Sequence, residues 1–283
     1  MSEHRGLFHL EDKVVVVTGA GQGLGEATAR VAGELGARVA VLDIDDGLAR
    51  RTAESLSAAG IEAVPIACDV ADDSAVGQAA QTVEQQLGGC DGLVNNAGVI
   101  AWTPLEDLSV DEWDHVMKVN VRGAFLCTKH FGRSMIAQQG GSVVNVASVA
   151  GTVPEPGAGA YAPSKAALVM LARQTATEWG RHGIRANAVS PGIMRTPMAE
   201  AFNSDPDAYR RRLEMIAVHR IGDPEEVARV IAFLLSDAGS YLSAQNLEVD
   251  GGLMQMMIGI LPRPGVPGAR QSDETSGGQV GAP

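Results

Sequence analysis

Tyr161 and Lys165 stand four residues apart at the end of a stretch, Ser148 to Lys165, that opens with a serine just beyond an apolar, strand-like run, Ser142 to Val146. On one helix the two side chains would share a face one turn apart. An isolated phenol has a pKa of about 10 and is a poor proton donor or acceptor at neutral pH. A fixed ammonium one turn away favours the phenolate and is expected to pull that value down toward the working pH. The pair is therefore a candidate acid/base device, with Ser148 as a hydrogen-bond partner for the reacting oxygen. A tyrosine and a lysine at this spacing also occur on ordinary surfaces, so the weight of the pattern depends on its surroundings.

Those surroundings include a glycine run behind a strand. Lys13 to Thr18 is a continuous β-branched segment of the kind buried on both faces of a sheet. It leads into Gly19, Ala20, Gly21, Gln22, Gly23, Leu24 and Gly25, and then into a helical pattern from Glu26 to Leu35. Strand, glycine turn and helix is the setting in which backbone N–H groups cradle a pyrophosphate at a helix N-terminus. A tight turn alone needs fewer glycines than the four found here at alternate positions. A second strand, Arg38 to Leu42, ends at Asp43, about where an acidic side chain meets the adenosine ribose. A carboxylate there accepts from the 2′-hydroxyl and repels a 2′-phosphate. Neither Gln22 nor Ile44 offers a compensating cation, so NAD rather than NADP is the expected coenzyme. Asp43 could also cap the following helix, but Asp45 is available for that task.

The elements that would position these residues alternate. Helical patterns over residues 47–59 and 73–87 separate strands at Ala63 to Ala67 and at Leu93-Val94, the last followed by Asn95, Asn96, Ala97 and Gly98. Such alternation predicts a parallel sheet with helices on both faces and ligands beyond the carboxyl ends of the strands. Asp43, Asp69, Asn95 and Ser148 all fall at or just after such ends. Ser109 to Gln139 reads as one long helix with Asn120 as a polar interruption of its apolar face. The helix carrying Tyr161 extends to His182, with Leu168, Leu171, Thr175 and Trp179 as a core or subunit-interface stripe. A strand from Arg185 to Val189 ends at Ser190, Pro191 and Gly192. Beyond it, residues 193–218 read as a Met-rich apolar lid, whose run Arg210-Arg211-Arg212 is read first as a solvated helix face and second as a phosphate or carrier site. Asp223-Pro224 starts a helix, and Asn246 to Val249 is the last strand.

Composition narrows the function classes. The formal charge of −12 and the lack of basic stretches interleaved with aromatics disfavour nucleic acid. The three cysteines form no C-x-x-C, and the six histidines no H-x-x-x-H, which disfavours a zinc site or a disulfide framework. No export signal and no run of about 18 apolar residues is found. A soluble, cytoplasmic protein is expected. Residues 1–253 read as one catalytic domain and 254–283 as an extension, apolar as far as Leu261 and Pro/Gly-rich and flexible beyond it.

Taken together, T18-G-A-G-x-G-x-G25, N95-N-A-G98, Asn120, Ser148, Y161-x-x-x-K165, P191-G192 and D250-G-G252 resemble the short-chain dehydrogenase/reductase family over roughly residues 13–252. The resemblance implies an α/β, Rossmann-type three-layer sandwich with a seven-stranded parallel sheet. It implies catalysis by Asn120, Ser148, Tyr161 and Lys165, in which tyrosine transfers the proton and lysine holds the nicotinamide ribose. Serine would orient the substrate oxygen, and asparagine would hold a relaying water. It further places Asp69 and Val70 at the adenine, Asn96 on the coenzyme side, Ala97, Gly98, Pro191, Gly192 and Ile193 along the coenzyme, and Thr196 at the carboxamide. A homotetramer joined through the helices of Asn120 and Tyr161 is the implied assembly. Two departures stand out: Ala244 where many relatives carry glycine, and the long tail. The activity expected is hydride transfer between NAD(H) and an apolar or cyclic secondary alcohol or ketone. A 3-oxoacyl-thioester reductase is the alternative, and a non-catalytic dinucleotide-binding scaffold a third reading.

Overall fold

The computed structural model describes residues 8–197 and 205–260. Seven strands, β1 (Val14–Thr18), β2 (Arg38–Asp43), β3 (Ala63–Ala67), β4 (Gly92–Asn95), β5 (Gly141–Val146), β6 (Ile184–Pro191) and β7 (Asn246–Val249), form one sheet in the order β3-β2-β1-β4-β5-β6-β7. Every pairing is parallel; Val16, for example, lies between Ala40 of β2 and Leu93 of β4. The expected Rossmann-type sandwich is the observed one.

The continuous valine run of β1 is explained by its two-sided burial. Val14 and Val16 enter one apolar cluster while Val15 and Val17 enter the other, as the two-residue period of a strand requires. The first cluster packs under α3 (Asp73–Leu87), α5 (Gly123–Gln138) and the end of α6 (Tyr161–Trp179), with Val76, Val83, Phe131 and Ala176 among its members. The second packs under α1 (Gly23–Glu34), α2 (Asp46–Ala58) and a C-terminal helix (Pro224–Leu235), through Val31, Leu56, Val227 and Ile231. Strand order reverses on either side of β1. The crevice beyond the carboxyl ends of β1 and β4 is thus the position this topology reserves for a ligand.

The expected long helix over residues 109–139 is instead two helices and a π-turn. It begins at α4 (Val110–Met117), capped by a reciprocal Ser109–Glu112 box, passes through the π-turn Lys118–Arg122, and continues as α5. Asn120 sits inside the π-turn, where one extra residue lets an otherwise continuous helix aim a polar side chain inward. Met198, within the expected lid, and the tail from Leu261 onward lie outside the described residues.

Ala244, the departure noted before β7, has φ 62° and donates its N–H to the Ala186 carbonyl at 2.7 Å. A Cβ in this left-handed region costs about 1–2 kcal/mol, partly offset by the more restricted unfolded chain. Ala244→Gly is expected to raise stability by about 1 kcal/mol, read as a shifted urea midpoint at constant m-value. An unchanged or lower midpoint would show that the turn carries no strain.

Candidate active site

A cavity of about 920 Å³ opens at the carboxyl edge of the sheet. This lies at the large end of the ~300–1,000 Å³ typical of ligand pockets. One side of it begins at the loop between β1 and α1. Gly19 and Gly23 both have φ of +61°, and a Cβ on Gly19 would lie 2.9 Å from the Ala97 Cα. A Cβ on Gly25 would meet the Gly19 carbonyl oxygen at 2.0 Å, so α1 can approach the strand only without a side chain there. Gln22, extended at φ −163°, immediately precedes α1, and Gly19, Gln22, Gly23 and Leu24 line the cavity. The N-terminus of α1 therefore presents N–H groups and the positive end of the helix dipole to this space. Gly21 and Gly25 lie behind the wall as spacers.

Asp43, at the end of β2, is 9% exposed and also lines the cavity. Its carboxylate accepts from Gly21 N–H at 2.9 Å and from Asp45 N–H at 3.1 Å. Asp45 takes the helix-capping task by accepting from Leu48 N–H at 3.0 Å. A cation does stand beside this loop: Arg51 on α2 donates to the Gly21 carbonyl at 3.3 Å. The reach of a long side chain from one turn further along α2 is not visible in the loop itself.

The ends of β1 and β4 are tied to each other at the strand-order reversal. Thr18 Oγ1 accepts from both Asn96 N–H and Ala97 N–H at 3.0 Å, and Asn96 Nδ2 donates to the Thr18 and Gly19 carbonyls at 2.9 and 3.0 Å. Asn96, Ala97 and Gly98 thereby form part of the wall, as do Asp69 and Val70 beyond β3. Asp69 accepts from Ala71 N–H at 2.9 Å, which rounds off that turn. Pro191, Gly192, Ile193 and Thr196 line the cavity from the other side. Asn95 does not join them: it is buried, and its amide donates to Thr128 and Asn145 within the core.

Ser148, Tyr161 and Lys165 all line this cavity. Tyr161 is the first residue of α6, where the helix dipole favours a negative charge. The Ser148 hydroxyl accepts from Ala150 N–H at 3.1 Å and lies close enough to the phenol to lower its pKa. Lys165 is 4% exposed; its Nζ donates to the Val146 carbonyl at 2.9 Å and lies 5.4 Å from the centroid of the Tyr161 ring. The acidification of Tyr161 expected from sequence is not what the protein groups produce. Burial pushes the phenol up to about 12, with the Glu155 charge adding to the rise and the Ser148 hydrogen bond opposing it. Burial also pushes Lys165 down to about 8. The ammonium faces a carbonyl and the face of the ring, and desolvation outweighs its attraction for a phenolate.

Asn120 is fully buried and off the cavity wall. Its Oδ1 accepts from Val99 N–H at 2.8 Å, and its Nδ2 donates to the Val99 carbonyl and to Ser164 Oγ, both at 2.9 Å. It fastens the segment after Gly98 to the residue preceding Lys165. A Cβ on Gly98 would lie 3.2 Å from Asn120 Oδ1 and 3.4 Å from Lys165 Nζ, so the three groups converge there.

Trp102, Met215 and, from the start of the tail, Leu253 and Met254 complete the substrate end. His115 of α4 and Val119 of the π-turn also line it and were missed. Their spacing of four residues, beside Asn120, was the available signal.

With this geometry in view, the similarities to known proteins are decisive. The family model described as Enoyl-(Acyl carrier protein) reductase matches residues 19–254. The chain belongs to the short-chain dehydrogenase/reductase family. It is 38% identical to 2-(S)-hydroxypropyl-CoM dehydrogenase 3 of Xanthobacter autotrophicus over 248 residues, 86% of this chain and 97% of that one. It is 39% identical to cis-4-hydroxycyclohexanecarboxylate dehydrogenase of Sinomonas cyclohexanicum over 242 residues, 85% and 96% of the two chains. The crystal structure of a gluconate 5-dehydrogenase from Burkholderia cenocepacia, in complex with NADP and tartrate, superimposes with a TM-score of 0.85 at 32% identity, covering 88% of this chain and 98% of that one. The short-chain dehydrogenase/reductase members are oxidoreductases, and this chain is one. Among its described residues no helix is long and apolar enough to cross a membrane.

The buried lysine makes stability depend on pH. An unfolded lysine titrates near ~10.4, while Lys165 in the fold titrates at about 8. Between these values the unfolded chain binds more protons, so stability rises with pH. Lys165→Met removes this contribution and leaves Tyr161, whose ionisation at higher pH acts in the opposite sense. The stability of the wild type relative to the variant is expected to climb by up to about 3 kcal/mol from pH 8 to 10.5, measured by urea unfolding. A flat difference would mean that Lys165 is not desolvated.

Proposed function

We propose that this chain is an NAD-dependent dehydrogenase that interconverts a secondary alcohol and its ketone. The observation that carries the reading is the placement of Ser148, Tyr161 and Lys165 on one cavity with a side-chain-free loop at a helix N-terminus. The glycine-lined cradle and Asp43 fit a dinucleotide. Bound there, the nicotinamide ring supplies the hydride acceptor for oxidation or the donor for reduction.

The residues of the chain handle the proton and the geometry. Ser148 holds the substrate oxygen beside the Tyr161 hydroxyl, and Lys165 reaches the nicotinamide ribose. In ketone reduction Tyr161 acts as a general acid, a role ready at neutral pH because its phenol is held protonated at about 12. In alcohol oxidation Tyr161 must accept the hydroxyl proton as a phenolate, which requires positive charge beyond what the protein groups provide. Asn120 acts as a positioning residue through Val99 and Ser164. The mostly apolar substrate end suits a cyclic or aliphatic carbon frame, the chemistry that the names of the two curated relatives share being a secondary alcohol.

Asp43 supports NAD over NADP. The gluconate 5-dehydrogenase carries NADP, so the choice for this chain rests on its own residues. A 2′-phosphate would meet a largely buried carboxylate already placed by two backbone donors, and Arg51 is engaged with the Gly21 carbonyl. The same fold suits a homo-oligomer, for which the exposed Phe125 on α5 and Met170 on α6 offer apolar surface on the helices expected to meet. Three free, buried cysteines are compatible with the reducing cytoplasm.

Tyr161→Phe is expected to lower turnover of secondary alcohols by roughly 10²–10⁴-fold while leaving NADH binding, followed by fluorescence, intact. Undiminished turnover would refute the acid/base role. Wild-type kcat/KM should favour NAD over NADP by at least about tenfold, a difference of ~1.4 kcal/mol. Asp43→Asn should narrow the ratio, and a wild-type preference for NADP would overturn the coenzyme reading.

A further inference from the structure

The three consecutive arginines of the lid helix, α7 (Pro206–Met215), do not share a role. Arg210 pairs with Asp207 at 3.0 Å on the exposed face, whereas Arg212, two positions and some 200° further round the helix, lines the cavity and is half-buried. On the opposite wall, the loop between β5 and α6 brings Glu155 to the same space. Glu155 interacts electrostatically with both Arg212 and Tyr161, so the guanidinium and the phenol share one neighbour. Around them the wall is apolar, built from residues such as Ile100, Val149, Val153 and Met215.

The lid that carries Arg212 is rooted at both ends. Met194 and Gly222 form a parallel bridge, Arg195 pairs with Asp223 at 3.1 Å, and Val218 N–H donates to the Gly251 carbonyl at 3.1 Å. The described residues on either side of the lid helix are thus anchored where the chain leaves β6 and where it approaches β7. The cavity's other fixed cation, Lys165, is committed to the Val146 carbonyl beneath the reacting centre. Partial burial raises the Glu155 carboxyl above its usual range, and Arg212 offsets this only in part. Arg212 and Glu155 thus line one half-enclosed, largely apolar space, and an anion entering it would meet the guanidinium there.

We propose that Arg212 selects the substrate by binding an organic acid group, so that the enzyme acts on a hydroxy acid or keto acid whose carbinol or carbonyl lies at Tyr161. The proposal rests on the dehydrogenase reading and narrows its substrate class. A planar guanidinium fork matches a carboxylate in two parallel hydrogen bonds and also accepts a sulfonate, and apolar walls strengthen either contact. A neutral alcohol of the same shape forms no charge-assisted contact with the guanidinium.

Binding without turnover tests this. The full-length protein saturated with NADH is titrated calorimetrically with cyclohexanecarboxylate, cyclohexanesulfonate and cyclohexanecarboxamide, which share a ring and lack a reactive hydroxyl. At least one acid should bind roughly ten- to a hundredfold tighter than the amide, the range for a charge-assisted contact. Which acid is preferred tells carboxylate from sulfonate. Arg212→Met, which keeps much of the apolar stem, should bring the acid-to-amide ratio close to one. Arg210→Ala makes the same net-charge change on the same helix and should leave the ratio as it was. A wild-type ratio near one, persistence of the preference in Arg212→Met, or an equal loss in Arg210→Ala would overturn the proposal. Acid preference without turnover of any secondary alcohol would retire the dehydrogenase reading and keep the anion site. Turnover of neutral alcohols with a ratio near one would do the reverse.

Discussion

The active-site architecture turns on keeping a lysine out of water. Lys165 is 4% exposed, and its contact with the Val146 carbonyl ties the carboxyl end of β5 to the first turns of α6. Burial of an ammonium is costly unless its donors are used and its surroundings are fixed. The surroundings are fixed by small residues and one amide. A Cβ on Gly151 would come within 2.8 Å of the Lys165 backbone, so the loop after Ser148 can press against α6 only because a glycine stands there. Asn120 fastens Val99 to Ser164 from beneath. Ser148 and Tyr161 lie on the two segments that this packing brings together, so their distance from each other is a consequence of where the lysine is held.

The same desolvation acts on Tyr161 with the opposite sign of charge. It favours a neutral phenol and an amine with a lowered pKa, so both members of the pair move toward their uncharged forms. A site in this condition is responsive to any charge brought into it. A cation near the phenol restores its acidity, and the Glu155 carboxylate diminishes it. Glu155 is affected by Arg212 and in turn affects Tyr161, so the proposed anion site and the phenol would be linked through one carboxylate.

Much of this was readable in the chain. The valine run of β1, the glycines that follow it and the Asp at the end of β2 are local signals, each enforced by sterics or by the two-sided burial of a parallel strand. β7 falls where its pattern predicts, from Asn246 to Val249. What escaped depends on three dimensions. A π-turn that adds only one residue to the helix barely disturbs an apolar stripe, so α4 and α5 read as one helix. The direction in which Tyr161 shifts depends on how much water the closed loops exclude, which no four-residue spacing reports. Asn95 ends a strand like Asp43 does, yet points into the core, because its neighbours Thr128 and Asn145 come from α5 and β5. Arg212 could not be separated from Arg210 without knowing which side of the lid helix faces inward.

Coenzyme choice and loop structure are also bound together in a way that residue identity alone conceals. The Asp43 carboxylate, the natural partner of a ribose hydroxyl, already receives the N–H groups of Gly21 and Asp45. Gly21 in turn offers its carbonyl to Arg51 and to Thr52 Oγ1, and a side chain on Gly21 would collide with Leu48 and Asp43. The glycine loop, the end of β2 and the first two turns of α2 therefore share one set of hydrogen bonds. Removing the carboxylate to admit a phosphate takes an acceptor away from two backbone donors in the same stroke, and a largely buried N–H left without a partner costs about 1–3 kcal/mol. On the proposed NAD reading, discrimination between the two coenzymes would reside in the scaffold of the loop as much as in the Asp43 charge, and a change of preference would require replacing both functions at once.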